Sequence, residues 1–269
     1  MNTNSLCLCG ERKIMEYKTI KYQLSDNVAR ITLNHPPLNV LNIEMMREIN
    51  KVLEGLFEEK DLKLLVFDAE GKAFCAGVDI SEHMGNTAVE MIKTFHQIFR
   101  NLIKLNRPTL AVVNGAALGG GCELVTFCDF IIASENSKLG QPEIQVGVFP
   151  PIACIILPEI ISRTKAMELL LTGCIINAQE AQNIGLINKC VPAEVIKEEE
   201  IKFTSQITKL SPVVLGHTKS AALKRQQKMF LDYLNEVEDI YLNQLMKTDD
   251  ATEGLKSFME KRKPEWKNR

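Results

Sequence analysis

The sequence predicts an α/β domain, and three observations carry that expectation. Short apolar, β-branched runs alternate with amphipathic stretches at helical spacing, the pattern of βαβ units. Glycine-bearing loops follow two of the predicted strands, where open α/β folds place their ligands. Beyond about residue 153 the pattern turns helical, with breaks near Gly173, Gly185, Pro192 and Pro212. A chain of 269 residues suits one large domain, alone or with an appendage.

The first elements are two β-like runs, 17–24 and 28–33, joined by Ser25-Asp26-Asn27 as a hairpin signal. The second run ends in a loop stiffened by Pro36 and Pro37, and His35 beside them reads as a surface residue. Ile43, Met46, Ile49, Leu53, Leu56 and Phe57 recur at helical spacing and predict an amphipathic helix through residue 60. The apolar stretch 63–68 predicts a buried strand. It leads into Phe74-Cys75-Ala76-Gly77-Val78-Asp79-Ile80, where small residues around Gly77 leave backbone open to a ligand. A helix is expected over 87–105, a strand over 109–113, and further extended pieces over 128–133 and 138–140. Helices are then expected over 153–162, 164–172, 178–184, 193–209, 212–229, 231–248 and 250–261. Residues 1–14 read as a disordered lead-in without a secretory signal, 15–195 as the α/β core and 196–269 as a helical C-terminal region.

Composition narrows the function classes. A net charge of −2 provides no global basic field for nucleic acid or an anionic membrane. No apolar run approaches the ~20 residues that span a bilayer. Eight cysteines (7, 9, 75, 122, 128, 154, 174 and 190) sit mostly in apolar segments, as expected of free thiols in a reducing, cytoplasmic setting. Cys7 and Cys9 lack the further ligands that a metal site needs, so no metal is expected. The basic run 219–228 reads as a solvated helix face.

The densest chemistry lies between Asn114 and Glu143. Gly119-Gly120-Gly121 permits close approach to bare main chain, and Glu123 follows inside an apolar run. Glu143 comes twenty residues later, again among apolar neighbours, after Gln141-Pro142. A carboxylate in such a setting is paired, hydrogen-bonded or shifted toward its neutral form. Two of them suggest acid–base chemistry, with a dipole-favoured helix start at Glu123 and a loop cap at Glu143 as the structural alternatives.

With these motifs in order, the chain resembles the crotonase, or enoyl-CoA hydratase/isomerase, family from about residue 17 to the C-terminus. Three stretches carry the resemblance: 74–80, Asn114 to Glu123, and Gly140-Gln141-Pro142-Glu143. It implies a ββα spiral core with a helical C-terminal trimerisation region. It also implies an oxyanion hole for an acyl-CoA thioester, made by the backbone N–H groups of Val78 and Gly120. By the same resemblance Glu123 is the base that activates water and Glu143 the acid that protonates carbon. Asn39, Leu41, Ala73 and Ala76 match CoA-contacting positions. Phe258 and Lys261 match C-terminal residues that reach CoA on a neighbouring subunit, which implies a homotrimer or a dimer of trimers. No cofactor is implied; coenzyme A enters as part of the substrate.

One segment departs from the common pattern. Phe149-Pro150-Pro151 follows Glu143 where hydratases of the family usually carry a glycine-rich turn. The segment looks like that of the cyclic dienoyl-CoA hydratases of anaerobic aromatic degradation. This implies a pocket for a compact ring such as cyclohexa-1,5-diene-1-carbonyl-CoA. Straight-chain enoyl-CoA hydration, double-bond isomerisation and a non-catalytic RNA-binding role are the alternatives.

Overall fold

The computed structural model describes residues 13–85 and 87–269. Three strands open the chain, β1 (Lys13–Glu16), β2 (Ile20–Ser25) and β3 (Val28–Leu33), paired antiparallel in sequence. Asp26 and Asn27 both have positive φ, the backbone that lets a two-residue turn follow the strand twist. The lead-in expected over 1–14 needs one correction: Lys13 and Ile14 already pair with Leu24 and Gln23, because the ladder runs on to the end of β2. Cys7 and Cys9 lie outside the described residues.

Helix α1 (Ile43–Gly55) starts where Asn42 accepts a hydrogen bond from Met45 N, and it buries Met46, Ile49 and Leu53. A strand–strand–helix unit then repeats three times. The first is β4 (Leu64–Ala69), β5 (Ala73–Cys75) and α2 (Thr87–Leu105). The second is β6 (Thr109–Val113), β7 (Ala116–Leu118) and α3 (Gly120–Thr126). The third is β8 (Phe130–Ser134), β9 (Lys138–Gly140) and α4 (Pro151–Ile160). In each unit the first strand joins one sheet and the second joins another. With β10 (Ile175–Asn177) and β11 (Lys189–Val191), the sheets run β1-β2-β3-β4-β6-β8-β11 and β10-β9-β7-β5. From β3 to β11 the larger sheet is parallel. The chain thus winds as a ββα spiral, and the loops expected after the predicted strands hold the three-residue strands β5 and β7.

Both faces of the larger sheet are covered, which is why its central strands read as unbroken apolar runs. Leu65, Phe67, Ala111 and Val113 point into the main core with α1 and α2. Leu64, Val66, Leu110 and Ile132 point the other way, under Phe203 and Ile207 of α7 (Ile196–Thr208). Glu200 of α7 also bonds Arg30 of β3, which pairs with Asp68 of β4.

The remaining helices are α5 (Arg163–Thr172) and α6 (Ala178–Asn183), which precede α7, and the long α8 (Pro212–Asp239) and α9 (Asp249–Met259), which follow it. Two helices were expected over 212–248; α8 instead runs through residue 230. Phe230 is buried against Phe127 there, so no break forms. A single π-helical turn, Ile240–Gln244, ends it. Lys219, from the basic run expected to be solvated, is committed to the fold: its Nζ bonds Asp129 Oδ2 at 2.6 Å and the Arg107 carbonyl at 2.9 Å.

Candidate active site

Residues 119–121 are glycines because each faces something different at close range. An added Cβ on Gly119 would sit 2.5 Å from Glu143 Oε1, on Gly120 2.6 Å from Val78 Cγ2, and on Gly121 2.6 Å from Cys75 Cβ. The run therefore lets β5, the start of α3 and the turn after β9 meet. Sheet register completes the meeting. Leu118 pairs with Gly140, so α3 and the turn Pro142–Val146 leave adjacent strand ends and their glutamates converge. Both line one cavity of about 420 Å³.

Glu123 lies in the first turn of α3 and is fully buried. Its Oε1 accepts hydrogen bonds from Ile152 N at 2.8 Å and Ala153 N at 2.9 Å, the second and third residues of α4. Helix starts leave such amides without partners, and the preceding Pro150 offers no side-chain cap. Pro151 has no N–H to satisfy and is pre-set for the first helical position. Glu123 is thus the cap of α4, and its Oε2 makes no hydrogen bond among the described residues. Burial pushes its pKa up to about 7, against the pull of the two amides.

Glu143 has no such support. Its Oε2 is buried without a partner among the described residues. Burial first, then the charge of Glu123, raise its pKa well above the carboxylate range; its own amide pulls weakly the other way. The two glutamates share one cavity lined mostly by apolar residues and differ in donors. Charge therefore settles on Glu123 and the proton on Glu143.

Two main-chain donors face the same space. Val78 bridges Leu41 in parallel through its neighbours: Leu41 N donates to Gly77 O, and Asp79 N donates to Leu41 O, each at 2.9 Å. That pattern turns the N–H of Val78 itself away from Leu41. Gly120 begins α3, where amides have no intrahelical acceptor. Neither amide donates within the described residues, and both residues line the cavity.

The remaining residues singled out from the sequence divide. Ala76, Phe149, Pro150, Pro151 and Phe258 line the cavity. Asn39, Leu41 and Ala73 stand behind it. Asn39 bonds the carbonyls of Glu70 and Ala73 and accepts from His35 N, so its side chain clamps the loop. Leu41 is buried in the core. Phe258 was expected to reach a neighbouring subunit, and it lines the cavity of its own chain. Gly254 and Gly147 let α9 pack backbone to backbone on the turn that carries Glu143, which brings Leu255 and Phe258 over the cavity. Lys261 lies exposed just beyond α9 with positive φ.

Three polar cavity residues, His83, Gln145 and Tyr241, escaped sequence reading. His83 Nδ1 lies 3.0 Å from the Asp79 carbonyl, and burial lowers its pKa. Tyr241, in the π-helical turn, stacks edge-on against Phe149 with ring centroids 5.3 Å apart. His83 had only its place after the Gly77 loop as a signal; Tyr241 had none. No group of three His, Cys, Asp or Glu side chains among the described residues could hold a metal ion. No helix there is long and apolar enough to cross a membrane.

A spiral of three ββα turns, with helix-start glycines and carboxylates gathered on one cavity, is the architecture of a crotonase-type enzyme. The family model described as enoyl-CoA hydratase/isomerase matches residues 23–269, and the chain belongs to that family. A probable enoyl-CoA hydratase of Rhizobium meliloti (strain 1021) is 36% identical over 258 residues, 95% of this chain and 100% of the relative. The cyclohexa-1,5-dienecarbonyl-CoA hydratase of Thauera aromatica is 34% identical over 244 residues, 90% of this chain and 94% of the relative. The crystal structure of an enoyl-CoA hydratase from Mycobacterium avium subsp. paratuberculosis K-10 superposes with a TM-score of 0.85 at 25% identity. That match covers 94% of this chain and 100% of the other.

Proposed function

We propose that the protein adds water across the double bond of an unsaturated acyl-CoA, and that the acyl group is a cyclic diene such as cyclohexa-1,5-diene-1-carbonyl. The observation that carries the reading is the unequal pair of glutamates beside two free amides. The amides of Val78 and Gly120 donate to the thioester carbonyl oxygen and stabilise the enolate, a donor geometry worth about 3 kcal/mol or more per hydrogen bond. Ionised Glu123 takes a proton from water as the hydroxide adds to the β-carbon. Glu143 gives its proton to the α-carbon, so the pair ends with Glu123 protonated and Glu143 ionised. Proton exchange with solvent resets it.

The cyclic acyl group is supported by the cavity wall. Phe149 and Tyr241 set two aromatic faces beside Pro150 and Pro151, a rigid apolar slot that suits a flat ring. The similarity to the Thauera aromatica hydratase points the same way. Ala76 and Phe258 line the approach for the CoA moiety, and the loop clamped by Asn39, Leu41 and Ala73 holds that edge in place.

The test measures kcat/KM for crotonyl-CoA and cyclohexa-1,5-diene-1-carbonyl-CoA under the same conditions, with the product position assigned by NMR. The ring is expected to lead by roughly ten- to two-hundredfold, the range that apolar pocket fit supplies. Preference for crotonyl-CoA overturns the cyclic substrate. A migrated double bond without added oxygen overturns hydration.

A further inference from the structure

Glu143 poses a problem that the hydration step leaves open. After giving up its proton it becomes an anion in a largely apolar cavity, next to Glu123 and with Oε2 unpartnered among the described residues. No lysine or arginine is among the described residues lining that cavity. Other side-chain donors there are committed. Gln145 Nε2 donates to the Gly173 carbonyl at 3.1 Å, and the ring N–H of His83 meets the Asp79 carbonyl at 3.0 Å. Cys122 and Cys154, which both feel the charge of the two glutamates, are not among the residues that line the cavity.

One donor remains. The Tyr241 hydroxyl is buried, has no hydrogen-bond partner among the described residues, and belongs to a ring that lines the same cavity. Leaving a buried hydroxyl unpaired is costly, so its persistence calls for a partner that appears during function. The ring is held for that purpose. It stacks on Phe149 and sits in a π-helical turn, a local widening often found at functional sites. Three residues earlier Glu238 anchors α8 to His96 at 2.7 Å and Arg100 at 2.8 Å. Burial, then the charges of Glu143 and Glu123 in that order, raise the phenol pKa, so it remains a donor.

We propose that Tyr241 is a positioning residue for Glu143, whose hydroxyl donates to the Glu143 carboxylate as it becomes an anion. The role rests on the proposed hydration, in which Glu143 is the acid. It differs from substrate recognition because the phenol acts through Glu143.

Tyr241→Phe keeps the ring and its contact with Phe149 and removes only the donor. Two measurements on the full chain read the effect: steady-state hydration across pH, and the carbon-13 titration of side-chain carboxylates in the free protein. The variant is expected to lose about tenfold or more in kcat at unchanged KM, the scale of a hydrogen bond to a charged group. The Glu143 titration is expected to move up by about one pH unit. A fall in kcat with the titration unmoved overturns the proposal, as does unchanged kcat. If the native protein hydrates no enoyl-CoA but the titration still moves, the Tyr241–Glu143 coupling stands and the hydration reading falls.

Discussion

Glu123 and Glu143 are the same amino acid in one cavity, and their two surroundings divide the work between them. Glu123 meets the N-terminus of α4, where two amides hold one of its oxygens. Glu143 rides on a short turn after β9 with one oxygen buried and bare. Burial acts on both, so the difference lies in the donors and in the order of ionisation: the first glutamate to ionise makes the second harder to ionise. A helix start therefore does here what a cation does in other sites. It sets which carboxylate is the base.

The strongest way to break this comparison is to neutralise each glutamate in turn. Glu123→Gln retains an oxygen for the two α4 amides, and Glu143→Gln adds no bulk, so both variants are expected to fold. Each is expected to lower kcat by two orders of magnitude or more, the range of general acid–base groups. Near-normal hydration by Glu123→Gln would remove the base from its role and put isomerisation through Glu143 ahead. A smaller effect follows at Gly119, whose missing Cβ makes room for Glu143 Oε1 and whose φ is +51°. Gly119→Ala is expected to displace the acid and lower kcat by about a hundredfold. It also loses roughly 1 kcal/mol or more of stability, since alanine is strained there. Unchanged kcat with lowered stability would separate the glycine from the acid.

Stability against pH sharpens the same contrast. Glu123 has a folded pKa near 7, above its ordinary value of 4.5. The folded state therefore holds this proton more tightly than the unfolded chain. Its contribution is fully present below about pH 4.5 and is lost as pH rises through 7. The native protein should fall behind Glu123→Gln across that window, by up to about 3 kcal/mol. Urea unfolding at pH 4.5, 6 and 8 checks it, and a constant difference between the two proteins would mean that Glu123 titrates normally. Hydration should fall below about pH 7 in parallel, as the base takes up its proton.

Much of this was legible in the sequence, and what was hidden has a common cause. Alternating strands and helices, the Gly119–Gly121 run and both glutamates stand out as local patterns. Strands β5, β7 and β9 are three residues each, too short for a periodic signal, and β5 and β7 were read as loops. Those strands are what bring the glutamates together: the pairing of Leu118 with Gly140 is long-range register, and no local pattern encodes it. The cap on α4 was hidden for a similar reason. Pro150-Pro151 reads as a rigid wall, and only the fold shows that it leaves two amides for a side chain 29 and 30 residues earlier. Tyr241 is an ordinary aromatic in a helical pattern until the π-helical turn sets it in the cavity. The part Asn39 plays in the fold was hidden too: the resemblance places it in the CoA-contacting loop, and only the structure shows its side-chain amide held by the Glu70 and Ala73 carbonyls.

The smallest expected effect tests the cap itself. Pro151 is the first residue of α4 and has no N–H, so Glu123 receives two amides where three would point the same way. Pro151→Ala restores the third. Alanine is a good helix former, and the site already has helical backbone, so the fold should tolerate it. A further aligned amide at a helix start favours a nearby anion by about 0.3–1 kcal/mol, which corresponds to roughly 0.2–0.7 of a pH unit. The pKa of Glu123 should fall by that amount, and the acid limb of the kcat/KM profile should move down with it. The Glu143 titration should shift less, because the added donor faces the other carboxylate. Profiles of the native and Pro151→Ala proteins from pH 5 to 9 decide it. An acid limb that stays in place would mean that the two amides of Ile152 and Ala153 already saturate Glu123, and that the proline is there for the shape of the wall.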